Sequence, residues 1–279
     1  MLIALASLKA SPGVTTAALA LAALWPGEQK VLAIEADQAG GDLAARFGLD
    51  PVPGLVSLSA AARRDHRVQV AFEQAQHLPG GLPVIAAPAA AEQAGSALEL
   101  LTGDGRPLWA NLAQDPDVLV VVDCGRLDPG SHAHRIVAAA DVALLVARPT
   151  LDECDRLAKS LDALALRAEA TNTELGLVLS GPGFDRDQVQ ANMRMRVWAQ
   201  LPHDRKGAAW LSGTAGKSRH LTSLALPKAA RELGRELAAR HAHTAHEPEP
   251  EPEPEPATVA DATEIVAEHL APHTARSAA

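Results

Sequence analysis

The sequence has few cysteines and no long apolar run, and both absences exclude classes of protein. Two cysteines among 279 residues, Cys124 and Cys154, are too few for a disulfide-stabilised fold and fit a reducing compartment. No stretch of about 18 apolar residues is free of charges or helix breakers, so no membrane span is predicted. Residues 1–8 are apolar but carry no basic segment, so we expect no secretory signal and predict a cytoplasmic protein.

Positive charge is scarce in the chain as a whole but concentrated in one segment. The formal net charge is -9 and the isoelectric point is about 5.6, which does not favour a nucleic-acid-binding protein. Residues 188–246 nevertheless hold ten lysines or arginines against three acidic residues. Eight of these basic residues are Arg194, Arg196, Lys217, Arg219, Lys228, Arg231, Arg235 and Arg240. Two interpretations stay open, a solvated helix face and a surface for weak, non-specific binding of DNA.

A repeat of alternating Glu and Pro divides the chain. Residues 247–256 read EPEPEPEPEP, where every second residue lacks an N–H and the like charges repel, so we predict an extended linker. Residues 1–246 form the predicted main domain, and residues 257–279 form an acidic tail. The tail is interpreted either as disordered or as one short helix that docks on a partner.

Short apolar runs alternate with helical patterns through residues 1–246. The predicted strands cover residues 2–8, 30–36, 82–87, 117–123, 141–147, 175–181 and 196–202. Most of them are continuously apolar, as strands buried on both faces must be. We therefore predict an α/β fold, with a mostly parallel, doubly wound sheet of the P-loop NTPase type and helices on both faces.

The unusual polar residues follow three of these strands, where ligands bind in such sheets. After the first strand, Gly13 permits a tight turn, and Thr15 and Thr16 begin a helix whose free N–H groups favour phosphate. A threonine hydroxyl at such a turn can bind Mg²⁺. The second strand ends at Glu35, shortly before Asp37, and a third strand, rich in valine, ends at Asp123.

These motifs, in this order, resemble those of the ParA/MinD family of P-loop ATPases. The family's deviant Walker A motif reads K-G-G-x-G-K-T-T, and this chain reads K-A-S-P-G-V-T-T from Lys9 to Thr16. The resemblance implies ATP and Mg²⁺ as ligands and a face-to-face homodimer, in which Lys9 reaches the partner's nucleotide. It places the following residues of the turn at the nucleotide: Lys9, Ser11, Gly13, Val14, Thr15 and Thr16.

The resemblance also assigns roles outside the turn. It implies that Asp37 orients the attacking water, so that Lys9 and Asp37 are the catalytic candidates. It implies that Asp123, Thr15 and Asp37 surround the metal. Pro202 and His203 lie in a segment similar to the family's base-side loop, and Ser180 stands where the family usually has Asn. Residues 141–150 resemble the strand before the family's partner-binding helix.

The turn departs from the family pattern at the position that matters most for catalysis. Val14 replaces the lysine that contacts the β- and γ-phosphates, and losing such a cation costs roughly a hundred-fold or more in rate. Ala10 and Ser11 replace glycines, and Pro12 removes one N–H. The sequence therefore predicts a slow ATPase at best.

Two functions remain open at this stage. The first is a nucleotide-dependent dimerising switch that positions a cargo such as a DNA locus, a division site, or a secretion or pilus assembly. The second is a non-catalytic pseudo-ATPase scaffold that recruits a partner protein. Lys9, Thr15, Asp37 and Asp123 favour the switch, whereas Val14 favours the scaffold.

Overall fold

Eight strands form one sheet in the described part of the chain. A computed structural model describes residues 1–9, 12–103, 107–212 and 223–244, so Ser11, the linker and the tail lie outside it. The strands are β1 (Leu2–Ser7), β2 (Lys30–Glu35), β3 (Gln76–His77), β4 (Pro83–Ile85), β5 (Val118–Arg126), β6 (Val142–Ala147), β7 (Glu174–Ser180) and β8 (Val197–Leu201). Their order in the sheet is β3-β4-β2-β5-β1-β6-β7-β8. Every pair is parallel except β3 and β4.

Helices follow the strands and cover both faces of the sheet. They are α1 (Val14–Ala23), α2 (Leu43–Phe47), α3 (Leu55–Ala61), α4 (Val68–Glu73), α5 (Ala91–Thr102), α6 (Leu108–Gln114), α7 (Ala133–Ala139), α8 (Leu151–Ala170), α9 (Arg186–Met193), α10 (Arg205–Leu211) and α11 (Ala225–Thr244). Helices α3 to α9 contribute to one apolar cluster, and α1, α2, α10 and α11 to the other. Residues Met1–Arg240 form one compact unit; a second unit, His241–Ala279, is described only to residue 244, where α11 ends.

The first strand shows why both faces must be apolar. Leu2 and Ala4 belong to one cluster, and Ile3 and Leu5 belong to the other. Successive side chains of a strand point to opposite faces, so a central strand covered on both sides must be apolar throughout. All six residues of β1 are buried.

The predicted fold class is confirmed, and each of the seven predicted strands is present. The additional strand, β3, has only two residues, Gln76 and His77, and it pairs antiparallel with β4 at the sheet's edge. Such a short polar pair gives no periodic signal in the sequence. No helix in the described ranges is long and apolar enough to cross a membrane.

The opposite edge of the sheet is covered by side chains of α9. Arg186 donates hydrogen bonds to the carbonyl oxygen of Val197, the shorter at 2.6 Å, and Gln190 accepts the N–H of Val197 at 2.9 Å. The backbone C=O and N–H of Val197, which face away from the sheet at this edge, therefore have hydrogen-bond partners within the chain.

The packing of β7 against β8 leaves no room for a side chain at Gly176. A methyl group added to Gly176 would lie 2.3 Å from the indole Nε1 of Trp198, a side chain that is only 1% exposed. The guanidinium of Arg196 also lies 3.7 Å from the centre of the same ring. The indole of Trp198, a residue of β8, thus packs against Gly176 of β7 and against the guanidinium of Arg196.

We expect Gly176→Ala to destabilise the fold by about 1–3 kcal/mol, because the indole must move out of a packed position. Gly130→Ala is the matched control, since no neighbouring atom lies within 4 Å of a methyl group there. Thermal unfolding followed by circular dichroism measures the difference between the variants. Equal melting temperatures for the two variants would show that Trp198 can move aside without loss of stability.

Candidate functional site

Strand register brings the predicted polar residues to one end of the sheet. Asp123 of β5 pairs with Leu5 of β1 on one side and with Glu35 of β2 on the other. The turn after β1, the segment after β2 and the end of β5 therefore meet at Asp123. This is the carboxyl end of the central strands, where ligands bind in open α/β sheets.

Asp123 is buried but has hydrogen-bond partners. Its side chain receives a hydrogen bond from Thr15, in the first turn of α1, and its Oδ1 accepts the N–H of Gly125 at 3.0 Å. Burial raises the pKa of Asp123 to about 6, and the charge of nearby Asp37 acts in the same direction. The ionised form of Asp123 is therefore disfavoured, and a bound cation would stabilise it.

Asp37 lies against the backbone of β5. A methyl group added to Gly125, which has a positive φ of 57°, would come within 2.1 Å of the Asp37 carboxyl carbon. The Asp37 Oδ1 accepts the N–H of Ala39 at 2.8 Å, and burial raises the pKa of Asp37. Only glycine at residue 125 allows both the backbone conformation and this close approach.

Glu35, the other acid of this segment, has a structural role. It is 2% exposed, and its Oε1 accepts the N–H groups of Asp42 and Leu43 at 2.8 and 3.1 Å. Its Oε2 accepts the N–H of Ala87 at 3.0 Å. Burial raises the pKa of Glu35 to about 7. Glu35 thus joins the loop before α2 to the end of β4.

The described end of the turn after β1 has the expected glycine but no lysine at the start of α1. Gly13 has φ 98° and immediately precedes α1, as expected for the tight turn. Val14, the first residue of α1, is 7% exposed and packs in an apolar cluster with Ile3 and Leu5. Thr16 is half-buried in the same helical turn. Ser11 and Ala10 lie outside the described residues.

Lys9 is paired with an acidic residue from a distant part of the chain. Its ammonium forms an ion pair with Asp152, in the first turn of α8. Lys9 and the Thr150 hydroxyl hold the pKa of Asp152 at about 2. The Lys9 and Asp152 side chains are 43% and 62% exposed, so the ion pair is accessible to solvent and is expected to be weak.

A cavity of about 390 Å³ adjoins the turn. Gly13, Thr16, Pro202 and His203 all line it, so the predicted base-side residues share a cavity with the predicted phosphate-binding turn. The rest of the lining is formed by Pro12, Ala17, Arg148, Ser180, Gly181, Pro182, Leu201, Asp204, Arg205, Ala208 and Leu226.

Arg148 and Arg205 are lining residues that sequence reasoning missed. Arg148 directly follows β6, and Arg205 is the first residue of α10, directly after the helix-capping Asp204. The sequence does contain a signal for Arg148. Like Lys9, it is a positively charged residue just after the carboxyl end of a buried strand.

The predicted basic face is partly neutralised. Arg196 pairs with Glu236 at 2.8 Å, Arg235 with Glu232 at 2.9 Å, and Arg240 with Glu174 at 3.4 Å. Lys217 and Arg219 lie outside the described residues. Binding of DNA by this face stays a prediction.

The donor set fits Mg²⁺ rather than a metal held by the protein alone. The Thr15 hydroxyl and the carboxylates of Asp123 and Asp37 are oxygen ligands, which Mg²⁺ prefers. In the ranges that the structure describes, no group of three or more His, Cys, Asp or Glu side chains could hold an ion. Phosphate oxygens and water would complete the coordination, as is usual for Mg²⁺ at nucleotide sites.

The strands, helices and cavity together define a doubly wound α/β domain with a cavity after its central strands. No protein-family profile and no curated protein sequence matches the chain. Solved structures do match. The ParA family ATPase of Chlorobium tepidum TLS superposes with a TM-score of 0.66 at 19% identity, covering 85% of this chain and 98% of that one.

Two further matches show which ligands this fold holds elsewhere. The septum site-determining protein MinD of Pyrococcus horikoshii OT3, complexed with Mg-ADP, has a TM-score of 0.61 at 18% identity, covering 88% of this chain and 99% of that one. Cobyrinic acid a,c-diamide synthase of Mycobacterium smegmatis, with an ATP analogue and magnesium, has a TM-score of 0.60 at 18% identity, covering 88% of this chain and 96% of that one. The fold is ParA/MinD-like, which confirms the resemblance at that level.

We expect the protein without ligands to lose stability as the pH rises from about 5 to about 8, by about 4 kcal/mol. The pKa of Asp123 is raised from 3.8 to about 6 and that of Glu35 from 4.5 to about 7, so the folded state binds these protons more tightly than the unfolded chain. The advantage is complete below the unfolded pKa values and is lost as the pH passes the folded ones.

Urea unfolding at the two pH values, without Mg²⁺ or nucleotide, measures this loss of stability. Asp123→Asn, which keeps the side-chain shape, should make the dependence on pH shallower. A wild-type stability that is flat or increases over this range would contradict the assignment of raised pKa values to these two acids.

Proposed function

We propose that the chain binds ATP with Mg²⁺ at the turn that precedes α1. The observation that carries this proposal is the convergence of Thr15, Asp37 and Asp123 at the carboxyl end of the central strands. The adjoining cavity is large enough for a small-molecule ligand. The Mg-ADP and ATP-analogue complexes among the structural matches support the same ligand class.

In this proposal each residue has a defined task. Thr15 and Asp123 hold Mg²⁺, which would neutralise phosphate charge when bound. Gly13 and the first N–H groups of α1 bind phosphate through the free donors at a helix start. Pro202 and His203 face the base. Asp37 orients the water that attacks the terminal phosphate.

We further propose that ATP turns the chain into a cytoplasmic dimerising switch. Two turns that face each other carry like charges and need anions between them. Lys9 would leave Asp152 and contact the partner's nucleotide, and the exposed ion pair that it gives up is worth about 0–1 kcal/mol. The dimer would position a cargo, such as a DNA locus, a division site, or a secretion or pilus assembly, through a protein partner.

The burial of Val14 favours a second candidate, the scaffold. A valine packed in the apolar cluster supplies no charge to a transition state. The chain would then keep the fold, bind nucleotide weakly and recruit its partner without hydrolysis. Dimerisation and hydrolysis measurements separate this candidate from the switch.

We expect Lys9→Ala to abolish the ATP-dependent dimer and to leave the monomer folded, because the half-exposed side chain contributes little to the core. Light scattering coupled to size exclusion, with a non-hydrolysable ATP analogue and Mg²⁺, measures the mass. Lys30→Ala is the control, since Lys30 is exposed at the start of β2, away from the turn. A mutant that still dimerises would remove Lys9 from the mechanism. A wild type with one mass in all conditions would contradict the switch itself.

We expect Val14→Lys to raise ATP affinity or hydrolysis by about tenfold or more, because it restores a cation at the start of α1. Val14→Met is the control, since it adds length at the same buried position without adding charge. Steady-state phosphate release and ATP titration give both quantities. No gain in either would indicate that the altered turn no longer admits phosphates, and would support the scaffold.

A further inference from the structure

Three arginines line one surface depression at the amino end of β8. They are Arg186, Arg194 and Arg196, and the depression has a volume of about 590 Å³. Among the described residues that line it, Glu236 of α11 is the one with a negative charge, so positive charge predominates. The proposed nucleotide cavity is lined instead by Leu201, the last residue of β8. The two cavities therefore adjoin opposite ends of the same strand.

Two of the three guanidinium groups are held in place by contacts within the chain. Arg186 donates through Nε and Nη2 to the carbonyl oxygen of Val197, at 3.1 and 2.6 Å. Arg196 donates through Nη2 to Glu236 Oε1 at 2.8 Å, and its guanidinium lies over the ring of Trp198. Because a guanidinium has five N–H donors, both groups keep donors for a ligand. Donors that are already positioned lose little freedom on binding.

The third arginine stands where a helix end favours glycine. Arg194 directly follows α9 and has φ 51°, in the left-handed region. Glycine adopts this conformation without strain, whereas a residue with a Cβ does not. The Arg194 side chain is exposed, and it makes no hydrogen bond or ion pair with the described residues. Backbone stability therefore does not explain an arginine at this position.

The spacing of the arginines suits a ligand with several anionic groups. Arg186 is the first residue of α9 and Arg194 follows its last, so they lie eight residues apart. At the rise of an α-helix, this separates their backbones by about 12 Å. In an extended segment with an acid at every second residue, successive carboxylates lie about 6 Å apart. Three such carboxylates span about the same length as the arginines.

Acidic residues at the rim favour a narrow ligand over a nucleic-acid duplex. Asp185 and Asp187 flank Arg186 at the start of α9, and Glu236 lies within the depression itself. The broad phosphate surface of a duplex would meet these acids as well as the arginines. A single peptide strand can follow the arginines and leave the acids in solvent.

We propose that this depression binds an extended acidic segment of a partner protein, with carboxylates at alternate residues. The planar guanidinium matches the two oxygens of a carboxylate, and such paired, charge-assisted hydrogen bonds are strong. The sequence EPEPEPEPEP, which this chain carries at residues 247–256, has the required pattern and supplies a probe. The site is separate from the proposed nucleotide cavity and does not depend on it.

Fluorescence anisotropy of a labelled EPEPEPEPEP peptide, titrated with the full chain, measures this binding. In the chain used, glutamine replaces the five glutamates of residues 247–256, so that its own repeat cannot compete with the probe. We expect Arg194→Gly to lower the affinity by about three- to tenfold, between an exposed ion pair and a charge-assisted hydrogen bond. Arg194→Lys should lose less, because it keeps the charge.

Arg194→Gly should also melt at the same temperature as its parent or higher, because glycine removes the strained conformation. A role of Arg194 in stability alone predicts the reverse, a lower melting temperature with unchanged peptide affinity. If Arg194→Gly does not fold, the smaller loss in Arg194→Lys carries the test. Arg167→Gln is the matched control, since Arg167 is also an exposed arginine at the end of a helix, α8.

The peptide QPQPQPQPQP is the control for charge, and a duplex of random sequence is the control for nucleic acid. Absence of EPEPEPEPEP binding would overturn the proposal. Equal affinity for the glutamine peptide, or equal affinity of Arg194→Gly and its parent, would overturn it as well. A duplex that requires Arg194 for binding, together with a peptide that does not bind, would assign the arginines to nucleic acid instead.

Discussion

The pairing of β5 with β1 and β2 is the constraint on which the site depends. It sets Asp123 between two other strands, at a depth where the carboxylate is almost excluded from water. A charge in that position must be bonded, and the start of α1 supplies Thr15 for this purpose. Close packing of Asp37 on Gly125 follows from the same register, because β2 runs directly beside β5.

The turn after β1 combines a left-handed glycine with a valine, not a lysine, at the start of α1. The turn keeps its left-handed glycine and its helix, which set direction and supply N–H groups. Two positively charged side chains follow neighbouring strands at the same end of the sheet, Lys9 after β1 and Arg148 after β6.

Sequence reasoning predicted those parts of the molecule that depend on local pattern. Continuous apolar runs located seven strands, and the rule that ligands bind after parallel strands placed Thr15, Asp37 and Asp123 at the same end of the sheet. The residues that contact Lys9 and Arg148 could not be predicted, because they depend on how β1, β6 and β7 are aligned in the sheet. Lys9 and Asp152 are 143 residues apart, and Ser180 reaches Gly13 only after β7 has joined the sheet. The polar strand β3 was missed because two residues carry no periodicity.

In the described part of the chain, neither edge of the sheet offers a long free ladder to a further strand. At one edge the two-residue β3 runs antiparallel and offers almost no ladder to extend. At the other, Arg186 and Gln190 occupy polar groups of β8. The described residues therefore disfavour joining two copies by continuing one sheet into the other, a route that would not depend on a bound molecule. The surfaces left for a contact between copies are loops and helix faces, and the proposed ligand cavity opens among such loops.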